Sequence, residues 1–243
     1  MIIRSVMGKM DQKVELINHT PNPERTVAAA ARLCYSSTGA SGLMKDITEK
    51  EIEKLLKIVI KGGHHSTLEH ITFTFAIEGI SRVCSHQLVR HRIASYSQQS
   101  QRYVREKDEL DYIMPERIKC SGEILFERHL KTGFKVYNWL VEDLIEQGYN
   151  EKEAIEAARY VLPNAAETKI VVTMNARSLL HFFELRCCNR AQKEIRNLAR
   201  KMLAQVKEIA PLIFKKAGAM CEMEGRCEEG KLSCGRLKEE EIE

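Results

Sequence analysis

GHHSTLEHITFTFAIEGISRVCSHQLVRHR, residues 63–92, changes periodicity twice in a short span. HHSTLEH (64–70) is polar and reads as a loop. Ile71 to Ile77 alternates β-branched and aromatic residues, the signature of a strand. Gly79 reads as a break, and Ser81 to about Arg90 then carries helical spacing. Working toward the N-terminus, Thr48 and Glu51 form a capping-box pattern, with Ile52, Leu55, Leu56 and Val59 on one helical face before Gly62-Gly63. Ser36 to Gly42 reads as a loop. Glu24 to Tyr35 is an Ala-rich helix entered through the turn Thr20-Pro21-Asn22-Pro23, and Val14 to Asn18 is a short strand. Toward the C-terminus, Ala94 to Val104 is polar and alternating. Helical patterns follow at Glu123 to Gln147 and Glu151 to Leu162, with Gly148 between them and Pro163 beyond. Ile170 to Met174 is a strand, Asn175 is placed to cap a helix over Arg177 to Arg186, and Ala191 to Ile213 reads as one more helix. Strands interspersed among dominant helices predict an α+β chain, with mixed helices around a central, mainly antiparallel sheet in a single domain. The expected body is residues 1–221, followed by an acidic, Cys-containing tail over 222–243.

Composition excludes several classes. The 243 residues carry 38 Lys+Arg against 34 Asp+Glu, a formal charge of +4, too small for a nucleic-acid coat or a membrane-surface protein. Apolar residues make up 44% and charged residues 30%, enough to build a core at this length. MIIRSVMGKM lacks the apolar stretch of a signal peptide, and no apolar run approaches a membrane span. The eight cysteines are therefore expected to be mostly reduced thiols in a cytoplasmic protein.

The charge is unevenly spread. Ser81 to Arg105 holds five arginines (Arg82, Arg90, Arg92, Arg102, Arg105) and no acid or lysine, while Glu222 to Glu243 has eight acids against four bases. Arginines set among Ser, Gln, His and Tyr suit a phosphate and a nucleotide base or sugar; a structural ion-pair network is the competing reading. Helical spacing brings Gln87 and His86 near Arg90, and an extended backbone past Ala94 would send Gln98, Ser100 and Arg102 to one face. Arg177, His181 and Arg186 follow on a second basic helix, on different faces.

Other motifs fail on spacing. His65, Glu69 and His70 miss the H-x-x-E-H zinc pattern, so a glycine-flanked His64 or His65 touching a ligand, or capping a turn, is the better reading. Gly225 to Lys231 imitates a P-loop, but Leu232 stands where Ser or Thr must hold magnesium. Cys221, Cys227 and Cys234 lack the C-x2-C spacing of structural zinc sites, and no metal is expected. Neither Cys187 nor Cys188 has the local setting of a nucleophile.

Arg90-His91-Arg92-Ile93-Ala94-Ser95-Tyr96-Ser97-Gln98-Gln99-Ser100 is R-H-R followed by seven residues and serine, and in this the chain resembles the flavin-dependent thymidylate synthases. The likeness extends through HTPNPE, AARLCYSS, GHHSTLEH, Arg159-Tyr-Val-Leu-Pro, Asn175-Ala-Arg177-Ser-Leu and Leu185-Arg186. It implies conversion of dUMP to dTMP, with methylenetetrahydrofolate as carbon donor and FAD, reduced by NADPH, as hydride source. It implies dUMP contacts at Gln87, Leu88, Val89, Arg90, Gln98, Gln99, Ser100, Gln101, Arg102, Arg159 and Arg186. FAD contacts are implied at His64, Ser66, Arg90, His91, Arg92, Gln98, Asn175, Ala176, Arg177 and His181. Arg186 would activate the uracil ring, so no cysteine nucleophile is required. The family also implies a homotetramer with shared active sites, and neither a nucleic-acid nor a membrane partner. Gln98 stands where some members carry Glu, and His181 and Arg190 where others carry Asn and His. An RNA-binding module is the alternative from another class, but the basic stretch offers only Tyr96 and Tyr103 as stacking platforms.

Overall fold

A computed structural model describes residues 8–105, 110–119 and 121–237; residues 1–7, 106–109, 120 and 238–243 lie outside it. Four strands, β1 (Lys13–His19), β2 (Thr72–Ser81), β3 (Ala94–Gln98) and β4 (Glu167–Asn175), form an antiparallel sheet in the order β1-β2-β4-β3. The alternation seen in sequence is the burial pattern of β2, where Phe73, Phe75 and Ile77 point into the core. Thr74 and Thr173 pair across β2 and β4 through their hydroxyls at 2.9 Å. The chain is a single α+β domain, as expected. Within it contacts cluster into two compact units.

Unit 1 comprises residues 1–13, 77–89 and 97–170. It contains α4 (Arg82–Leu88), α5 (Glu123–Glu146) and α6 (Glu151–Ala158). Phe134, Tyr137 and Val141 of α5 pack with Ala154, Ile155 and Ala158 of α6. Burying Phe134, Val141 and Ile155 contributes about 1.5–3 kcal/mol each. Asn150 starts α6 with a full capping box to Glu153. The helix expected to reach Leu162 stops at Ala158 and tightens into a 3₁₀ turn over Arg159–Val161.

Gly79 does not break β2, which continues to Ser81. Its φ of +66° and the carbonyl of Asp11, which a Cβ would strike, make it a kink that only glycine fits. The buried Glu167 carboxylate accepts its N–H at 2.8 Å. Extension past Ala94 also ends earlier than the alternation suggested, at Gln98. Ser100 causes the stop. Its side-chain oxygen accepts the Arg102 N–H at 3.2 Å, and its carbonyl accepts from Tyr103 and Val104. A turn therefore replaces the strand, and Gln98, Ser100 and Arg102 do not share a pleated face.

Unit 2 comprises residues 14–76, 90–96 and 171–243. Its helices are α1 (Pro23–Leu33), α2 (Ala40–Asp46), α3 (Glu49–Lys61), α7 (Ala176–Arg186), α8 (Lys193–Ile209), α9 (Pro211–Phe214) and α10 (Met220–Glu224). The Thr48–Glu51 capping box forms at the start of α3, whose Ile52, Leu56 and Val59 are buried. Ile195, Leu198, Ala199, Met202, Leu203 and Val206 make the inner stripe of α8.

Three expectations for this unit need correction. Residues 36–42, read as a loop, contain the start of α2. The polar HHSTLEH segment is a 3₁₀ turn over His65–His70, pinned by the fully buried Leu68. The helix expected through Ile213 breaks at Ala210, because the residue before Pro211 leaves helical space (φ −136°, ψ 66°). A carboxylate oxygen of Glu24 then accepts the Leu212 and Ile213 N–H groups at 2.6 and 3.3 Å, capping α9. Residues 221 and 222, where the expected body and tail meet, both lie in α10. Among the described residues no helix is long and apolar enough to cross a membrane, and the seven described cysteines are free thiols.

Candidate active site

Unit 2 holds a cleft of about 1200 Å³. α7 supplies much of its wall, and that helix starts where the sequence places it: Asn175 Oδ1 accepts the Ser178 N–H at 2.8 Å, a side-chain N-cap. From α7, Arg177, Ser178, His181, Glu184 and Arg186 reach the cleft. Arg90, His91, Arg92 and Ile93 enter from the segment leading into β3. His65 comes from the 3₁₀ turn, Lys61 from α3, and Lys216, Met223 and Glu224 from the C-terminal end.

The R-H-R segment is held in an unusual backbone shape. Ile93 has φ +60°, a conformation that a β-branched residue adopts only under strain. Two bonds fix the bend: Ser178 Oγ donates to the Ile93 carbonyl at 3.2 Å, and the Tyr96 hydroxyl donates to the His91 carbonyl at 2.8 Å. Burial pushes the Tyr96 phenol up to about 12, so it stays a donor at neutral pH.

At the centre, Arg186 Nε donates to His91 Nε2 at 2.9 Å. An acceptor nitrogen facing a guanidinium must be unprotonated. Burial is the largest cause and the charges of Arg186 and His181 add to it, pushing the His91 pKa down to about 4. The ring is therefore neutral, with its proton on Nδ1. Phe182 packs edge-on against it at 4.9 Å between centroids. His91 orients Arg186 without neutralising it.

The cleft lining carries six cationic side chains (Lys61, Arg90, Arg92, Arg177, Arg186, Lys216) and two acids. Both acids have other partners: Glu184 lies 3.6 Å from His181 Nδ1, and Glu224 bonds Arg226 at 2.8 Å. Arg177 pairs with Glu69 at 2.5 Å. Among the described residues, Arg90, Arg92 and Arg186 have no carboxylate within 4.0 Å. A cleft of this size lined by guanidiniums and imidazoles fits a phosphate-bearing cofactor the size of a dinucleotide.

Of the residues expected at the cofactor, Arg90, His91, Arg92, Arg177 and His181 line the cleft together. His64, Ser66, Asn175 and Ala176 do not line it; the Asn175 side chain is committed to its cap and Ala176 is buried. Gln98 lies in unit 1, where its carboxamide donates to Ser85 and Thr168, both at 3.1 Å.

The residues expected at the substrate, apart from Arg90 and Arg186, all lie in unit 1. Leu88 is fully buried, Val89 ends α4 and Gln87 is half-buried. Gln99 N–H donates to the Lys169 carbonyl at 2.9 Å, and Ser100 and Gln101 form the turn. Arg102 bonds Glu156 at 2.8 Å, which raises its already high pKa through that bond and the carboxylate charge. Arg159 keeps a buried Nε without a partner. The neighbouring Arg82 has its pKa lowered, first by burial and then by the Arg159 charge, so two like charges stand together.

Several contributors were not legible in the sequence. Lys61, Glu184, Lys216, Met223 and Glu224 carry no motif, and the last two place the tail at the cleft. Arg190 holds that tail, bonding the Leu232 carbonyl at 3.0 Å and Glu229 at 3.1 Å.

Residues 15–212 match the protein family described as Thymidylate synthase complementing protein. The flavin-dependent thymidylate synthase of Clostridium tetani is 50% identical over 240 residues, covering 95% of this chain and 96% of that protein. That of Geobacter sulfurreducens is 50% identical over 230 residues, covering 93% and 95%. That of Pyrococcus horikoshii is 47% identical over 227 residues, covering 90% and 91%. In fold, the chain is similar to a UMP/dUMP methylase, PolB from Streptomyces cacaoi, solved with 5-Br dUMP; the TM-score is 0.74 at 22% identity, over 86% of this chain and 96% of that one. With the R-H-R segment, the α7 arginines and four-fifths of its length inside the match, the chain belongs to the thymidylate synthase complementing protein family.

Proposed function

We propose that this chain converts dUMP to dTMP, with methylenetetrahydrofolate as carbon donor, NADPH as reductant and FAD as its resident cofactor. One observation carries the reading: Arg186 stands in the cleft bonded to a neutral His91, with no carboxylate within 4.0 Å among the described residues. A partly desolvated cation without a counter-ion is stabilised most when a ligand brings negative charge to it. A uracil ring whose oxygen accepts from Arg186 gains that stabilisation as it becomes anionic, which makes its ring carbon the nucleophile toward the methylene donor. No thiolate is needed. The described cleft lining contains no cysteine, and Cys187, next to Arg186 in sequence, is buried with its thiol pushed up to about 11.

Arg90, Arg92 and Arg177 would bind the flavin pyrophosphate, with His91 and His181 beside it; the family likeness adds His64, Ser66, Gln98, Asn175 and Ala176. When bound, the flavin supplies the hydride, and the protein supplies orientation and charge. The substrate roles fall to Gln87, Leu88, Val89, Arg90, the Gln98 to Arg102 segment and Arg159, with Arg186 as the catalytic residue. The working form is a cytoplasmic homotetramer with shared active sites.

The test is purification and turnover. The protein should carry flavin absorbance and oxidise NADPH, forming dTMP only with dUMP and methylenetetrahydrofolate present. A protein that binds no flavin, or makes no dTMP under those conditions, refutes the reading.

A further inference from the structure

A second, shallower groove of about 650 Å³ runs along α3, lined by Lys50, Glu53, Lys54, Lys57, Ile58 and Lys61 with Gly62. Lys61 lines both this groove and the cleft, so the two adjoin at that side chain within unit 2. At 100° per helical residue, Lys50, Lys54, Lys57 and Lys61 fall within about 60° of arc and span about 16 Å of helix axis. All four are exposed.

An exposed lysine stripe is usually a solvated face balanced by its own acids. Here the acids of α3 are mostly engaged in other bonds. Glu49 pairs with Arg25 at 2.6 Å, and Glu51 closes the capping box with Thr48. Glu53 bonds Lys57 at 2.5 Å and also feels the charge of Lys215. Among the described residues, Lys50, Lys54 and Lys61 have no acid within ion-pair distance.

We propose that this stripe is a rail for the γ-linked oligoglutamyl extension of the folate cosubstrate, whose pterin end would sit in the cleft. The inference rests on the proposed function and names a further subsite for its carbon donor. A chain of carboxylates leaving the cleft past Lys61 meets Lys57, Lys54 and Lys50 in turn. No rigid pocket is required, because each contact is a screened pair between flexible groups, weak singly and additive along the rail. A substrate with one glutamate would stop at the cleft rim.

The experiment compares methylenetetrahydrofolate bearing one and five glutamates with the flavin-loaded enzyme at low salt, alongside K50Q/K54Q. Neither substituted lysine lines the cleft, and Glu53–Lys57 is left intact. The wild type should show a KM for the pentaglutamate lower by roughly fivefold or more, an advantage that shrinks as salt rises. In K50Q/K54Q the two KM values should converge, with flavin content and the KM for dUMP unchanged. Equal KM values in the wild type, or an undiminished preference in the variant, would overturn the rail. Fluorescence polarisation of labelled mono- and pentaglutamyl folate gives the same comparison without turnover. A preference there in an enzyme that makes no dTMP would uphold the rail and refute the proposed function; its absence would refute the rail.

Discussion

Arg102 and Arg105 of unit 1 and Arg90, Arg92 and Arg186 of unit 2 are the same side chain in opposite electrostatic settings. Arg102 is bonded to Glu156, and Arg105 lies 3.7 Å from both Glu142 and Glu151. In unit 2, Arg186 has a neutral histidine for its acceptor, and Arg90 and Arg92 have no acid beside them among the described residues. A guanidinium with a carboxylate partner has its charge compensated, although Nε of Arg102 and of Arg105 stays without a partner; one held by a neutral acceptor keeps its charge available. Within the single run of arginines, Arg102 and Arg105 are compensated and Arg90 and Arg92 are not, and the chemistry is expected where compensation is missing.

Replacing Arg186 by Ala should have the largest effect. Removing a preorganised charge of this kind costs about 10²–10³ in turnover. Flavin content should be retained; loss of flavin instead would assign Arg186 to cofactor binding. Gly79→Ala comes next, on the unit 1 side, where a Cβ at positive φ meets the Asp11 carbonyl. A destabilisation of about 2–3 kcal/mol is expected by chemical denaturation, with little change in specific activity of the folded fraction.

The third test is pH. His91 has its pKa depressed to about 4 against an ordinary 6.5. Between these values the unfolded chain binds the proton and the folded chain does not, so stability rises with pH through that window. Acidification from pH 6.5 toward 4 should therefore lower Tm, and His91→Gln, which keeps an acceptor but cannot titrate, should flatten that slope. An unchanged slope would mean that His91 takes up its proton equally in the folded and unfolded chain, so that neither burial nor the Arg186 charge acts on the ring. The smallest effect is expected from Glu156→Ala, which frees the half-buried Arg102. A two- to fivefold change in KM for dUMP at constant kcat would match a surface ion pair worth about 0.2–1 kcal/mol.

Legibility followed the range of the interactions. The Thr48 box, the Asn175 cap and strands β1 and β4 depend on neighbours within a few residues, and the sequence displays them. The R-H-R segment and α7 were also visible as concentrations of arginine and histidine. Gly79 is ambiguous because a glycine looks the same whether it ends a strand or kinks it; the partner that decides, Asp11, is 68 positions away. Ser100 is ambiguous in the sequence: alternation favours extension, whereas the tendency of serine to close a turn on the backbone favours a stop. The cleft wall from Met223 and Glu224 was invisible, since nothing local says where a C-terminal segment folds back. Pairing of Arg102 with Glu156 was equally hidden: the sequence shows charge and its density, but partners are fixed by the fold.

Ile93 bears on engineering. Glycine at this position would relax the positive φ and could raise the melting temperature, so a screen that rewards heat tolerance alone would favour it. The same exchange would let His91 and Arg92 wander from the direction the bend imposes on them. Residue 93 is thus a place where thermal robustness and catalytic aim pull against each other, and a library scored on both would separate them.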